Sequence, residues 1–226
     1  MKKHGWKIIF GVAVLLLVGS YVIAQDAAKK ANEGITIDRH VKGNTDAAVL
    51  LTEYSDFQCP ACGQFYPVVK EIMETYGDNL QLEYKHFPLI TIHPYAVPAA
   101  RAAEAAAQQG KFWEMHDLLF ENQSAWSQGS NPDAFFIQYA GELGLDVATF
   151  KRHLGASVIT DAVNNSFKDA QALGLTGTPT FFLNGERMEF DTFEDFMNQI
   201  EVAINGSETA TTSISVESEA DVTFGI

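Results

Sequence analysis

The sequence is poor in cysteine and in basic residues, and both shortages exclude classes of protein. Cysteine occurs only twice among 226 residues, at Cys59 and Cys62. This excludes a scaffold held by several disulfides and a zinc site with four cysteine ligands. Lysine and arginine number 15 against 29 acidic residues, which gives a net charge of −14 at pH 7. Because nucleic-acid binding relies on basic side chains that neutralise phosphates, we expect no nucleic acid among the partners.

A long apolar run near the N-terminus predicts export across a membrane. Lys2, Lys3 and Lys7 precede the run Ile8–Ala24, which contains no charged residue. A basic flank followed by such a run is typical of an export signal. We favour an uncleaved single-pass anchor, since 17 residues reach the lower limit for spanning a bilayer. A signal peptide cleaved before Gln25 is the alternative, and both interpretations place the rest of the chain outside the cytoplasm.

Composition divides the remainder into a spacer, a compact region and a tail. Apolar residues make up 46% of the sequence, which is enough for a packed core. Ser207–Ile226 contains eight Ser or Thr, four acidic residues and no basic one. Such a segment cannot bury enough apolar surface to offset chain entropy, so we predict disorder. The predicted domains are residues 1–24 (anchor or signal peptide), 25–34 (spacer), 35–92 (sheet domain, first part), 93–173 (helical subdomain), 174–205 (sheet domain, second part) and 206–226 (tail).

The order of predicted elements indicates an α/β fold with a mixed sheet. Residues 48–54 and 80–87 have strand patterns and are joined by a predicted helix, so these two strands should be parallel. Asn184-Gly185 between two apolar runs predicts an antiparallel hairpin. The helical stretch over residues 93–173 is too long for a simple crossover, which indicates an inserted α-helical subdomain.

The chemistry of the chain is carried by Cys59-Pro60-Ala61-Cys62, which follows the first strand and opens a helix. A helix N-terminus presents unpaired N–H groups and the positive end of the helix dipole, and both stabilise a thiolate. Cys62 lies one turn further on and can reach the sulfur of Cys59. The pair can therefore cycle between a dithiol and a disulfide, with Cys59 as the nucleophile and Cys62 as the resolving thiol.

Other uses of the two cysteines fit the sequence less well. A structural disulfide across two residues closes too small a loop to constrain much of the chain. Metal binding would need two further ligands, and the six histidines show no paired ligand spacing. A c-type haem would require histidine where Gly63 stands. We therefore expect no metal and no cofactor other than the redox-active cysteine pair.

Four segments carry a family resemblance that extends over residues 35–205. They are Glu53–Cys62, His40–Asp46, Ala103–Asp117 and Thr176–Thr180. In the order given, they resemble the active-site segment, the lead-in to the first strand, the inserted helical domain and the second active-site loop of the DsbA-like thiol–disulfide oxidoreductases. The resemblance implies a thioredoxin-like fold in which residues 93–173 form the inserted helical subdomain.

The resemblance also implies roles for residues outside the cysteine motif. Pro179 would be a cis-proline that faces the disulfide, and Thr178 would offer its backbone groups to an extended substrate. Glu53 would be buried, with a raised pKa, and would exchange a proton with Cys62; an exposed glutamate at the strand end is the alternative. The residues expected to contact the substrate are Thr178, Phe57, Pro60 and Ala61, although core packing is an equal possibility for Phe57.

We therefore expect an extracytoplasmic protein-disulfide oxidoreductase that forms disulfides in exported, cysteine-containing proteins. The resemblance suggests that a membrane-linked oxidant reoxidises it. A reductase or isomerase with the same chemistry is the nearest alternative, because Ala61 stands where a histidine would favour the oxidant role. A non-catalytic, chaperone-like binding module is a second alternative from another class.

Overall fold

A computed structural model describes the backbone of residues 5–219 and the side chains of residues 10–206. The strands are β1 (His40–Gly43), β2 (Val49–Ser55), β3 (Leu80–His86), β4 (Thr180–Leu183) and β5 (Glu186–Arg187). The helices are α1 (Gly5–Ala31), α2 (Pro60–Tyr76), α3 (Ala96–Ala107), α4 (Phe112–Glu121), α5 (Gln123–Ser127), α6 (Pro132–Glu142), α7 (Val147–Leu154), α8 (Ser157–Ala172) and α9 (Phe193–Glu219).

The five strands form one mixed sheet in the order β1-β3-β2-β4-β5. β2 and β3 are parallel, and the other neighbouring strands are antiparallel. This confirms the predicted mixed sheet with a parallel pair joined by a helix. Glu53 on β2 stands opposite Tyr84 on β3 and Phe181 on β4. Because side chains alternate between the faces of a sheet, these three side chains share one face.

Helices cover both faces of the sheet. On the face of Glu53, residues Ile72 of α2 and Phe196 of α9 pack with Leu51 and Phe181 of the sheet. On the opposite face Tyr54 packs in a cluster that includes Ala170 of α8. Because helices cover both faces, six of the seven residues of β2 are buried, including the polar Thr52, Glu53 and Ser55.

The helical insertion has its own core, which reaches the end of β2. α3 occupies its centre, and seven of its alanines are buried: Ala96, Ala99, Ala100, Ala102, Ala103, Ala105 and Ala106. Small side chains allow neighbouring helices to approach α3 closely. The same cluster contains Trp126 of α5 together with Phe57 and Cys62. The insertion and the sheet therefore meet at the cysteine motif.

Two strands and the last helix differ from the sequence-based expectation. β1 is a short edge strand that was not predicted, and β5 has only two residues. α9 continues to Glu219, so residues 206–219 of the predicted disordered tail are helical. The helix contains no proline, and its single glycine, Gly206, weakens a helix by only about 1 kcal/mol. Residues 220–226 of that tail lie outside the described residues.

The N-terminal helix α1 is longer than the predicted apolar run and includes most of the predicted spacer. Its segment Phe10–Ala31, of 22 residues, is long and apolar enough to cross a membrane; it is exposed except at Ala31, which packs against the cluster of the insertion. At its end, the Asn32 side chain donates a hydrogen bond to the Ser157 hydroxyl at the start of α8, over 2.9 Å. A signal sequence has the same length and composition, so both interpretations of this segment stay open.

Candidate active site

Cys59 is the N-cap residue of α2, and Pro60 occupies the first position of the helix. A turn anchored by Asp56 delivers the chain to this position. The Cys59 N–H donates to the Asp56 carbonyl oxygen over 3.0 Å, and the Gln58 N–H donates to Asp56 Oδ1 over 2.7 Å. Aspartate forms such turns readily because its side chain accepts from the backbone two residues on. Proline has no N–H to leave unpaired at the helix start.

The sulfur of Cys59 lies where a thiolate is stabilised. The hydrogen bond from the Cys62 thiol, supported by the backbone N–H groups of Ala61 and Cys62, lowers the pKa of Cys59 to about 5, although its own burial opposes the shift. Cys59 is consequently ionised at neutral pH. Cys59 is 6% exposed, so only a small part of this residue is accessible to a reacting partner.

Cys62 is fully buried and differs in its ionisation. Burial, followed by the hydrogen bond and the charge of Cys59, raises the pKa of Cys62 well above its usual range. Both residues are free thiols in this structure. The reduced pair therefore consists of an outer thiolate and an inner thiol that donates to it, which is the arrangement that the sequence-based assignment of nucleophile and resolving thiol requires.

The loop before β4 faces the nucleophile. The peptide bond between Thr178 and Pro179 is cis, as expected from the family resemblance. The carbonyl oxygen of Thr178 lies 3.4 Å from Sγ of Cys59. The Thr180 hydroxyl donates to the Gly177 carbonyl oxygen over 2.8 Å and ties the loop to the start of β4. The structure thus brings Thr178 and Pro179 to the cysteine motif across 119 residues of sequence.

Glu53 is buried on β2 with 3% exposure, which excludes the alternative of an exposed strand end. Burial raises the pKa of Glu53 to about 7, with a partial opposing effect of the Ser55 hydroxyl. A cavity of about 10 Å³ adjoins it and is also lined by Lys42 and Asp117. This volume is about that of one water molecule. A carboxyl group with this pKa can both take up and release a proton near neutral pH.

Tyr84 is a buried side chain whose pKa responds to the charges of both Glu53 and Cys62. The Tyr84 side chain is buried, and the pKa of its hydroxyl is raised first by burial and then by the charges of Glu53 and Cys62. Both groups therefore act on the same phenol. The buried Ser55 hydroxyl lowers the pKa of each of the three groups and so partly offsets the effect of burial.

Two residues that were not predicted as site residues hold the loop before Cys59. Asp56 is fully buried, and its Oδ2 accepts from the Leu89 N–H over 2.9 Å. The same oxygen lies 2.7 Å from Nδ1 of His93. Asp56 could have been recognised as a turn former, because an aspartate side chain commonly accepts from the backbone N–H two residues on, here that of Gln58. The contact with His93 has no local signal, because 37 residues separate the two.

Gln123 on α5 is a second such residue. Its side-chain amide donates to the carbonyl oxygens of Phe57 and Cys59 over 2.8 and 2.9 Å. A side chain at Gly63 would approach the Gln123 amide oxygen to 2.7 Å, so this glycine leaves room for the contact. Neither α5 nor this contact follows from local sequence pattern, since five residues are too few to show helical periodicity.

The residues predicted to contact substrate occupy two different environments. Phe57 is 1% exposed and packs against the rings of Tyr84, Phe120 and His116. It is therefore a core residue and does not line a surface groove, because its ring fills the junction between sheet and insertion. Pro60 and Ala61 are exposed beside Cys59. Their contact with substrate stays a prediction.

Comparison with known proteins agrees with this fold. A family model described as Thioredoxin matches residues 36–202. A thioredoxin-like oxidoreductase from Silicibacter pomeroyi DSS-3 is 27% identical, with a TM-score of 0.62 over 76% of this chain and 92% of that chain. The alpha-DsbA1 of Wolbachia pipientis is 21% identical, with a TM-score of 0.66 over 80% of this chain and 98% of that chain.

A mixed sheet with a helical insertion, in which a two-cysteine helix start lies beside a cis-proline loop, is a thioredoxin-like fold similar to that of these two structures. The chain belongs to the thioredoxin family described by the matching model. It is also similar to the Na⁺/H⁺ antiporter NhaA 3 of Salinispora tropica, with 43% identity over 148 residues. That match covers 66% of this chain and only 22% of the length of that protein.

Proposed function

We propose that the protein is an extracytoplasmic thiol–disulfide oxidoreductase that forms disulfides in exported proteins. The observation that carries this proposal is the pairing of a Cys59 thiolate, with a pKa of about 5, with the buried thiol of Cys62. Only a thiolate attacks or leaves readily in thiol–disulfide exchange. A structural cysteine pair has no need of this difference in ionisation.

The proposed reaction begins with Cys59 and Cys62 joined as a disulfide. A substrate thiolate attacks Sγ of Cys59, the S–S bond breaks, and Cys62 leaves and takes a proton from Glu53. A second substrate thiolate then attacks the substrate sulfur of the mixed disulfide, and Cys59 leaves as a thiolate. The substrate has gained a disulfide, and its two electrons remain on the reduced cysteine pair.

Thr178 supports a mode of substrate binding for this reaction. Its carbonyl oxygen lies 3.4 Å from the Cys59 sulfur, at the end of the loop that leads into β4. A substrate in extended conformation could pair with this backbone as an added strand does. Pro60 and Ala61, which are exposed beside Cys59, would form the other side of the contact.

Location and direction are supported by the N-terminal segment and by the ionisation of Cys59. An apolar helix at Phe10–Ala31 suits a membrane tether that holds the domain outside the cytoplasm, where disulfides persist. A lowered thiolate pKa stabilises the reduced pair and so makes the disulfide a stronger oxidant. A membrane-linked oxidant would then return the reduced pair to the disulfide.

The reduction potential of the Cys59–Cys62 pair tests the direction. We expect a value closer to about −120 mV, typical of a strong oxidant, than to about −270 mV, typical of thioredoxin. The measurement equilibrates the protein with defined glutathione ratios and quantifies both redox forms by alkylation and mass spectrometry. A value at the thioredoxin end would contradict oxidation as the direction and favour a reductase with the same dithiol chemistry.

The ionisation of Cys59 can be checked independently of any substrate. The rate of its alkylation by iodoacetamide should rise with pH through an inflection at about 5 and then level off. The ultraviolet absorbance of the thiolate should titrate with it. In Cys62→Ala the inflection should move upward, because the largest cause of the lowered pKa is the hydrogen bond from the Cys62 thiol. An inflection near 9, the ordinary value, would contradict the proposed nucleophile.

A further inference from the structure

Two histidines and a glutamate meet outside the dithiol site, from three separate elements. His40 lies on β1, His86 at the end of β3 and Glu104 on α3. Nε2 of His40 is 2.7 Å from Oε1 of Glu104, and Nε2 of His86 is 3.0 Å from the same oxygen. The three ligand atoms all lie within 4.8 Å of one another. No local sequence pattern indicates this cluster, since 64 residues separate His40 from Glu104.

The cluster is buried and held in place by its surroundings. The side chains of His40, His86 and Glu104 are 10%, 5% and 4% exposed. The His40 ring stacks on Phe112 with a centroid distance of 3.5 Å. This packing fixes the plane of the imidazole and directs its Nε2 at the carboxylate.

One oxygen of the cluster lacks a hydrogen bond. Oε2 of Glu104 is buried and has no partner within the part of the chain that the structure describes. A buried carboxylate oxygen without a partner is costly, typically by about 1–3 kcal/mol or more. A cavity of about 250 Å³ adjoins the three residues and is also lined by Asp38 and Ser166. The cluster thus combines a carboxylate oxygen that has no hydrogen bond with space beside it.

We propose that His40, His86 and Glu104 bind a divalent metal ion of the zinc type, with the fourth position open to the cavity. Two imidazole nitrogens and a carboxylate oxygen are a donor set that zinc accepts, with metal–ligand distances of about 2.0–2.2 Å. The ion would replace the protons that now lie between each Nε2 and the carboxylate. Small outward movements of the two rings would make room for it, and a water would fill the open position.

Such an ion would join the sheet to the helical insertion. β1 and β3 lie at one edge of the sheet, whereas α3 is the first helix of the insertion. Coordination would therefore cross-link three elements that are distant in sequence. An ion that binds the folded state and not the unfolded chain stabilises the fold in proportion to its concentration over its dissociation constant.

The experiment uses the full chain with Cys59→Ser and Cys62→Ser, because the dithiol itself would bind zinc. Zn²⁺ is titrated by calorimetry, and Co²⁺ serves as a spectroscopic probe of the ligands. Glu104→Gln removes the anionic donor with little change of shape, and His86→Ala removes a nitrogen donor. Glu83→Gln is the matched control, because Glu83 lines the same cavity but lies outside the cluster.

We expect one Zn²⁺ per chain, a higher melting temperature with Zn²⁺, and Co²⁺ bands of a four- or five-coordinate site without a sulfur charge-transfer band. Glu104→Gln and His86→Ala should weaken Zn²⁺ binding ~10-fold or more, whereas Glu83→Gln should not. The Co²⁺ spectrum does not depend on the Glu104 and His86 variants, so it decides the question even if these fail to fold. Absence of Zn²⁺ binding, an aqueous Co²⁺ spectrum or full affinity in folded Glu104→Gln would overturn the proposal and leave a hydrogen-bonded cluster.

Discussion

Replacing Cys62 by alanine is expected to turn the protein into a trap for its substrates. The Cys59 sulfur remains at the start of α2 and, when ionised, can still attack a disulfide of a client; one client sulfur leaves as a thiolate, and the other stays bound to Cys59 in a mixed disulfide. Without Cys62 the intramolecular attack on Cys59 that releases the client and forms the Cys59–Cys62 disulfide is lost. Because intramolecular attack has an effective molarity of up to about 10⁵–10⁸ M, turnover should fall by at least about three orders of magnitude. The measurement is the oxidation rate of a dithiol peptide with glutathione disulfide as oxidant.

The adducts themselves provide the second readout of this prediction. Non-reducing electrophoresis followed by mass spectrometry should show client proteins attached to Cys59 in Cys62→Ala. Cys59→Ser is the matched control and should show neither adducts nor turnover, since the sulfur that forms the mixed disulfide is gone. If Cys59→Ser instead kept the activity, the protein would be a chaperone-like binding module and the redox proposal would be wrong.

Local sequence signals sufficed for the elements that carry the cysteines. Pro60 and the apolar spacing after it mark α2, and the strand before it begins with the apolar run Val49-Leu50-Leu51. α3 and α7 each end shortly before a glycine, Gly110 and Gly155, and a glycine there is a typical signal of a helix end. The reactive pair lies in four consecutive residues, so its chemistry could be read without any knowledge of the fold.

The supporting residues could not be predicted in the same way, because they depend on contacts distant in sequence. Gln123 reaches the carbonyl of Cys59 from a helix 64 residues further on. The cis-proline loop was found only through family resemblance, since nothing local distinguishes Thr178-Pro179 from an ordinary turn. The burial of Phe57 depends on how the insertion closes over the end of β2, which periodicity does not describe.

Ionisation of Glu53 is expected to have two large effects: it destabilises the fold, and the proton that it exchanges speeds catalysis. Its pKa in the folded state is about 7 against an ordinary value of 4.5, and burial is the main cause. The folded state therefore holds this proton more tightly than the unfolded chain does. Folding is favoured by the neutral carboxyl below pH 4.5, and this advantage is lost as the pH rises through about 7.

Glu53→Gln removes the titration and should therefore stabilise the protein at higher pH. The gain in the free energy of unfolding, relative to the parent, should grow by about 3 kcal/mol between about pH 4.5 and pH 8. Denaturant unfolding of the oxidised forms measures it without interference from the thiols. Glu83→Gln is the control: burial alone would raise the pKa of Glu83, but Arg39 and Lys85 lower it overall, so its loss should not stabilise the protein.

The same substitution should slow catalysis although the fold becomes more stable. A glutamine cannot give a proton to the departing Cys62 or take one from it, and loss of such a proton transfer lowers rates by about 10²-fold or more. The pH–rate profile of the parent should show an inflection near 7 that Glu53→Gln lacks. A variant that gains stability but keeps both the rate and the inflection would show that another group serves Cys62. A loss of rate together with a gain in stability would mean that this buried carboxyl is retained for proton transfer and not for folding.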